Sequence, residues 1–348
     1  MRSGTYKESY RELVVLTDNR AVWGWTVAGL AVLVLLPAFG SAYLVSQLTL
    51  IFITAIAVLG LNLLSGVAGQ LSLGHSAFLL IGGYTQAILM VDYGVQGFIA
   101  IPLSGLIAAG ASLIVGIPSL RLKGLYLALT TLAFAYIMQH IVLISEDVTR
   151  GSSGMAVPAL SIGGLRLSGV SEFYFICLAL VSLFTLVTLN LVRSRIGRAW
   201  NALHHQDIAA VAMGVNIVRY KLLAFAVSAF FAGVSGALMA LYFRYINEEN
   251  FSMTLSVEML AMMVVGGMGR TKGALLGTAL LAPLPEIVRF VFSLTDGAAE
   301  ALFENNIYEV RALMYGVVIL LFLRLEPEGL AGIWRKSKRF WVNWPLSK

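Results

Sequence analysis

The sequence predicts an all-α polytopic transmembrane helical bundle of about ten helices, with both termini in the cytoplasm. Three observations predict it. Hydrophobic residues make up 59% of the 348 residues and charged residues only 12%, about half the charged share of a soluble domain. Residues 21 to 91 form a run of 71 without Asp, Glu, Lys or Arg, which holds roughly three helices at about 20 apolar residues per crossing. When the apolar spans alternate across the bilayer, 19 of the 24 basic residues fall on one side, as the positive-inside rule requires. This composition excludes a soluble enzyme, a nucleic-acid-binding domain and a disordered chain. Unbroken apolar stretches such as Ala31 to Leu36 exclude a transmembrane barrel, whose strands alternate.

Residues 1–20 read as a polar cytoplasmic segment carrying Arg2, Lys7, Arg11 and Arg20 beside Glu8, Glu12 and Asp18. The apolar stretch after them has no clear small-residue cleavage site, so it reads as a retained helix and not a signal peptide. The transmembrane domain runs over 21–325. Its spans are expected near 21–38, 48–66, 73–91, 97–118, 125–145, 173–192, 222–242, 255–268, 273–292 and 310–325. The last three are shorter or carry Glu258, Glu286, Arg289 and Arg311. Between them the cytoplasmic turns hold Arg121 and Lys123, the loop 193–221 with five basic residues, and Arg270 with Lys272. The outer loops are acidic: Glu146 and Asp147, Glu248 and Glu249, then Asp296, Glu300, Glu304 and Glu309. Residues 326–348 form a basic cytoplasmic tail. Trp23, Trp25, Trp200, Trp334, Trp341 and Trp344 all fall at expected cytoplasmic interfaces, where an apolar ring with one N–H donor is favoured. Together these features place the chain as a multi-pass membrane protein.

Within the uncharged run, residues 62–76 concentrate polar groups: Asn62, Ser65, Gln70, Ser72, His75 and Ser76, with Gly66, Gly69 and Gly74 between them. Irregular backbone at membrane depth is tolerated where it is buried in protein or lines a wet cavity, and broken helices present N–H groups that suit a carboxylate. Asn62, Gly69, Gln70, Ser72, Gly74, His75 and Ser76 are therefore candidates for a translocation pathway. An ordinary tight turn at the cytoplasmic face needs the same glycines, and both readings stand. Glu258 and Glu286 lie in apolar helices, where a charge costs about 2.5–3.5 kcal/mol or more at the bilayer centre. Glu286 precedes Arg289 by three residues and suits a structural pair on one helix face. Glu258 joins the pathway candidates.

In the loop 193–221, Asp207 stands as an N-cap before the apolar run Ile208 to Met213, and Gly214 follows at the helix-ending position. A short helix on a cytoplasmic loop suits a groove on a soluble partner. A helix lying on the anionic membrane surface fits the same residues.

Ala209-Ala210-x-x-x-Gly214 resembles the Glu-Ala-Ala-x-x-x-Gly loop of ABC-importer permeases, with Ile208 in place of Glu. The flanking Ser194 to Ala199 and Gly214 to Phe225 resemble the branched-chain amino acid permeases of the LivM type. So do Gly60 to Leu64, Gly69 to His75, Leu122 to Ala128 and Gly266 to Gly269. The resemblance covers roughly residues 48–290. It implies a coupling helix that meets an ATPase, with Arg198, Asp207, Ala209, Ala210, Gly214, Tyr220 and Lys221 at or beside it. Gly266, Gly267, Gly269 and Gly273 match a second Gly-rich signature, read either as a tight turn with small-residue packing or as close packing around the gate or a contact with the ATPase. Thr149-x-Gly151-x-x-Gly154 matches an outer loop, read as a contact for a solute-binding protein, as closure of the external gate, or as a flexible loop with Gly turns.

The implied partners are a second homologous permease, two cytoplasmic ATPase subunits, an external substrate-binding protein and membrane lipid, with no nucleic acid. The implied cargo is leucine, isoleucine and valine. Urea, short amides or another small solute form one alternative. An ion-coupled secondary transporter, with Glu258 as ion site, forms another. No phosphate-binding Gly-x-x-x-x-Gly-Lys-[Ser/Thr] loop occurs, so ATP and Mg are expected on partner subunits and no cofactor or metal on this chain. Cys177 is the single cysteine, and no nucleophile–base pair points to an enzyme.

Overall fold

The computed structural model describes residues 20–162, 165–167, 169–287, 307–326 and 329–333. The uncharged run folds into α1 (Arg20–Phe39), α2 (Ala42–Leu61) and α3 (His75–Val91). Ser41 starts α2, its hydroxyl accepting from the Leu44 N–H at 3.3 Å. The chain leaves α2 through a π-helical turn, Asn62–Val67. After α3 come α4 (Gly97–Ser119), α5 (Leu125–Ile144) and the single turn α6 (Glu146–Thr149). The outer loop holds β1 (Met155–Ala156), β2 (Leu160–Ile162) and β3 (Leu165–Leu167). Then follow α7 (Val170–Arg193), α8 (Arg195–His205), α9 (Asp207–Ala212), α10 (Ile217–Phe243) and β4 (Tyr245–Ile246). Next come α11 (Met253–Gly266), α12 (Thr271–Leu281) and α13 (Ile307–Leu325).

Among the described residues, five helices are long and apolar enough to cross a membrane: α2 with its π turn, α4, α5, α7 and α10. Two of them form the interior. The α2 window is 78% buried and the α10 window 72%, against 39%, 33% and 28% for α4, α5 and α7. The outer three present apolar side chains such as Ile114, Leu125 and Leu183, a surface that suits lipid or another subunit. Small residues let the inner helices touch. A methyl group on Gly236 of α10 would strike the Leu79 backbone of α3, and one on Gly82 of α3 would strike that of Gly233. Without a solvent-driven hydrophobic effect between helices, such close backbone packing is a main source of cohesion in lipid.

The two ends of the bundle differ. At one end α9 meets the turn at 122–124 and the turn at 69–70, and Gly66 meets Gly269. At the other, Met155 pairs with Ile246 and Ala156 with Tyr245, while Leu160 to Ile162 fold back on Leu165 to Leu167. Those short antiparallel strands were not expected from a loop rich in Gly and Ser. Trp200 also departs from expectation. It is fully buried, and its Nε1–H donates to the Tyr220 carbonyl at 2.8 Å, so it anchors α8 to α10 instead of marking an interface. The other expected interface tryptophans at 334, 341 and 344 lie outside the described residues. So do Arg289, Asp296, Glu300 and Glu304. Glu286 accepts from the Tyr43 hydroxyl at 3.0 Å.

Candidate functional site

The loop between α7 and α10 is two helices joined at a corner. Ser194 opens α8 by accepting from the Ile196 and Gly197 N–H groups at 3.1 and 3.4 Å. Gly197, Ala199, Trp200 and Leu203 face inward, and Arg198 is exposed, its Nη1 donating to the Arg193 carbonyl at 3.0 Å. Gln206 adopts extended backbone and turns the chain into α9. Gly214 closes α9 at φ 83°. Its N–H donates to Val211 at 2.9 Å and that of Val215 to Ala210 at 3.0 Å, a left-handed C-terminal cap that glycine adopts without a Cβ penalty. Ala210 is buried, and Ala209 lies outside it. Ile208 and Met213 are 86% and 85% exposed, and Val211 is half exposed.

Asp207 does not cap the helix. Gln206 holds the N-cap position, and no side chain caps there. Asp207 is drawn away by two lysines: its Oδ2 lies 2.6 Å from Lys123 Nζ and 3.4 Å from Lys221 Nζ. Burial works to raise the Asp207 carboxyl, but the hydrogen bonds and charges of Lys123 and Lys221 outweigh it and hold the group below the ordinary carboxylate value. Tyr220, next to Lys221, supplies the carbonyl that Trp200 uses.

The 62–76 segment sits against this loop. The π turn leaves Ala68 N–H on Leu63 and Gln70 N–H on Leu64, both at 3.0 Å. Gly69 takes φ 69° with its Cα facing His204 of α8, where a methyl group would come within 2.9 Å of the ring. The turn is also tied to neighbouring helices. Leu73 N–H donates to Thr131 Oγ1 at 3.0 Å, and Ser76 N–H to Ser256 Oγ at 2.8 Å. His75 Nε2 lies 3.2 Å from the Ala57 carbonyl. Gly74 packs on the Thr131 backbone. Ser72, His75 and Ser76 are fully buried. Among the described residues, no hydrogen bond reaches Asn62 Nδ2, Gln70 Oε1, Ser72 Oγ, His75 Nδ1 or Ser76 Oγ. Glu258 is 3% exposed, on the same helix as Ser256. The N–H groups at the start of α3 are thus engaged in part by hydroxyls of Thr131 and Ser256.

The second Gly-rich segment meets the first. Gly269 N–H donates to Asn62 Oδ1 at 2.8 Å, and Gly266, Gly273 and Gly277 cross backbone to backbone. Gly267 and Gly269 take φ 112° and 76°. Close backbone approach and positive φ confine these positions to glycine. On the outer end, Thr149 is buried, its hydroxyl within hydrogen-bonding reach of the Val142 and Ser145 carbonyls at the end of α5. Arg150 and Gly151 take positive φ, and Arg150 lies 3.5 Å from Asp92. Gly154 packs against Tyr245 and Ile246.

The 193–221 loop and the 69–70 turn line a cleft of about 620 Å³ that reaches Lys123, Gln206, Asp207 and Lys221. Sequence reasoning missed Lys123, Thr131 and Ser256 as members of the site. Lys123 reads as a basic residue of a cytoplasmic turn and as part of the Leu122 to Ala128 resemblance, and nothing in the sequence places Thr131 or Ser256 beside the 62–76 segment. Among the described residues no group of three His, Cys, Asp or Glu side chains could hold a metal ion, and Cys177 is buried.

A family model described as "Branched-chain amino acid transport system / permease component" matches residues 43–323. The high-affinity branched-chain amino acid transport system permease protein LivM of Salmonella typhimurium is 34% identical over 310 residues, covering 82% of this chain and 69% of the relative. LivM of Escherichia coli is 33% identical with the same coverage. The permease protein BraD of Pseudomonas aeruginosa is 26% identical over 83% of this chain and 94% of its own length. No solved structure matches. With the family model spanning the bundle from α2 to α13, and the LivM relatives above 30% identity, the chain belongs to the family of permease components of branched-chain amino acid transport systems.

Proposed function

We propose that this chain is one of two permease subunits of an ATP-driven importer that carries leucine, isoleucine and valine across the bacterial inner membrane. In that reading two ATPases dock on the cytoplasmic end, where ATP and Mg are held, and an external binding protein delivers the amino acid. Ten spans with both termini in the cytoplasm follow from the distribution of basic residues. The gathering of the turns near 69, 123, 207 and 269 at one end supports that orientation.

The observation that carries the reading is α9. It is a six-residue helix whose Ile208 and Met213 stand 86% and 85% exposed. Apolar side chains held out on a short, capped cytoplasmic helix suit a groove of a soluble partner. Movement of α9 would reach the 62–76 turn through α8, because Gly69 lies against His204. The buried polar groups from Asn62 to Ser76 then line the seam through which a zwitterionic solute passes. Thr149, Gly151 and Gly154 shape the outer loop on which the binding protein lands.

The test is co-purification of the permease pair with its ATPases. Ile208→Asp combined with Met213→Asp places two charges on the docking face. The complex is expected to lose its ATPases, as it is on deletion of 207–213. ATPase subunits retained at the wild-type ratio would reject α9 as the coupling helix. Import of urea or a short amide in place of leucine would favour the same architecture with another cargo.

A further inference from the structure

Asp207 is the only acidic residue between 193 and 221. One of its oxygens meets two lysines from different parts of the bundle. Lys123 belongs to the turn between α4 and α5, and Lys221 is the fifth residue of α10. The Lys221 side chain is 3% exposed and that of Asp207 15%, whereas Lys123 is 70% exposed. The contact is therefore a shielded pair with an outer arm. Hydrogen bonds between charged groups in such shelter are stronger and more directional than neutral ones.

Packing gives α9 little other hold on the bundle. Of its six residues Ala210 alone is buried. A helix seated on one alanine slides easily, and an apolar contact of that size sets no direction. The carboxylate does set one. It ties the start of α9 to α10, the most central helix after α2, and to the α4–α5 turn.

We propose that Asp207 is the positioning residue through which α9 moves the membrane helices, pulling α10 through Lys221 and the α4–α5 turn through Lys123. This rests on the reading of α9 as the coupling helix. Lys221 and Lys123 form the receiving side of the clasp, and Ile208 and Met213 form the side that faces the ATPase.

The experiment measures leucine imported per ATP hydrolysed by the whole complex, with its ATPases and binding protein, in vesicles. Asp207→Asn combined with Lys221→Met removes both members of the shielded pair, so no buried charge is left alone. The complex is expected to assemble, and the ratio to fall about tenfold, the loss of a coupling of ordinary size. Asp207→Glu keeps the carboxylate and is expected to retain most of the ratio. An unchanged ratio in the double variant overturns the proposal. So does loss of assembly, because the clasp would then hold the fold instead of transmitting motion. The Ile208→Asp/Met213→Asp variant separates the two ideas. If it keeps its ATPases, the coupling-helix reading has failed. If it loses them while the clasp variant imports normally, the clasp alone has failed.

Discussion

Asn62 shows how much one side chain can organise at membrane depth. Its carbonyl oxygen takes the Gly269 N–H at 2.8 Å, which fastens the π turn after α2 to the turn between α11 and α12. It is fully buried. Asn62→Ala would leave that N–H without its acceptor inside the bundle, a loss of about 1–3 kcal/mol. The detergent-solubilised permease is expected to melt earlier than wild type, and unchanged melting would show that the tether is dispensable. Gly214 and Asp207 mark the reach of sequence reasoning at this scale. Gly214 was legible because a helix-ending glycine depends on its own backbone, and its φ of 83° follows. Asp207 reads as a cap in the sequence because its partners, Lys123 and Lys221, lie 84 and 14 positions away, and nothing local distinguishes a capping carboxylate from a clasped one.

Helices were the most legible elements, since a run of apolar residues of the right length has few other structures available in lipid. A helix lies over each expected span within the described residues, with the span 273–292 described only to residue 287. What the sequence left hidden was how those helices end and touch. The π turn at Asn62–Val67 depends on hydrogen bonds shifted by one residue, which leave no compositional mark; such turns recur at functional sites. The strands at 155–156 and 245–246 join segments about ninety residues apart, so neither reads as a strand alone. The glycines of α10 carry the packing. Gly236→Leu would drive a side chain into the Leu79 backbone and separate α3 from α10, at a cost of about 1–3 kcal/mol. Reduced yield of folded protein, with earlier melting, is the expected result. Wild-type melting would mean that α3 and α10 do not meet as described.

For the whole molecule, the separation of roles follows from where charge and polarity lie. The bundle is apolar outside, small and close-packed inside, polar along the 62–76 seam, and charged at the end that bears α9. A chain with no phosphate-binding loop and family membership among permease components fits a machine whose energy enters from another subunit through that charged end. An ion-coupled carrier would instead work alone, with a buried acid such as Glu258 at its centre. The measurement that separates these most directly is leucine uptake into vesicles holding this permease with its partner permease, ATPases and binding protein. With ATP on the cytoplasmic side and no ion gradient, saturable uptake is predicted, lost when ATP is withheld. Uptake that persists without ATP and follows an imposed ion gradient would contradict the account.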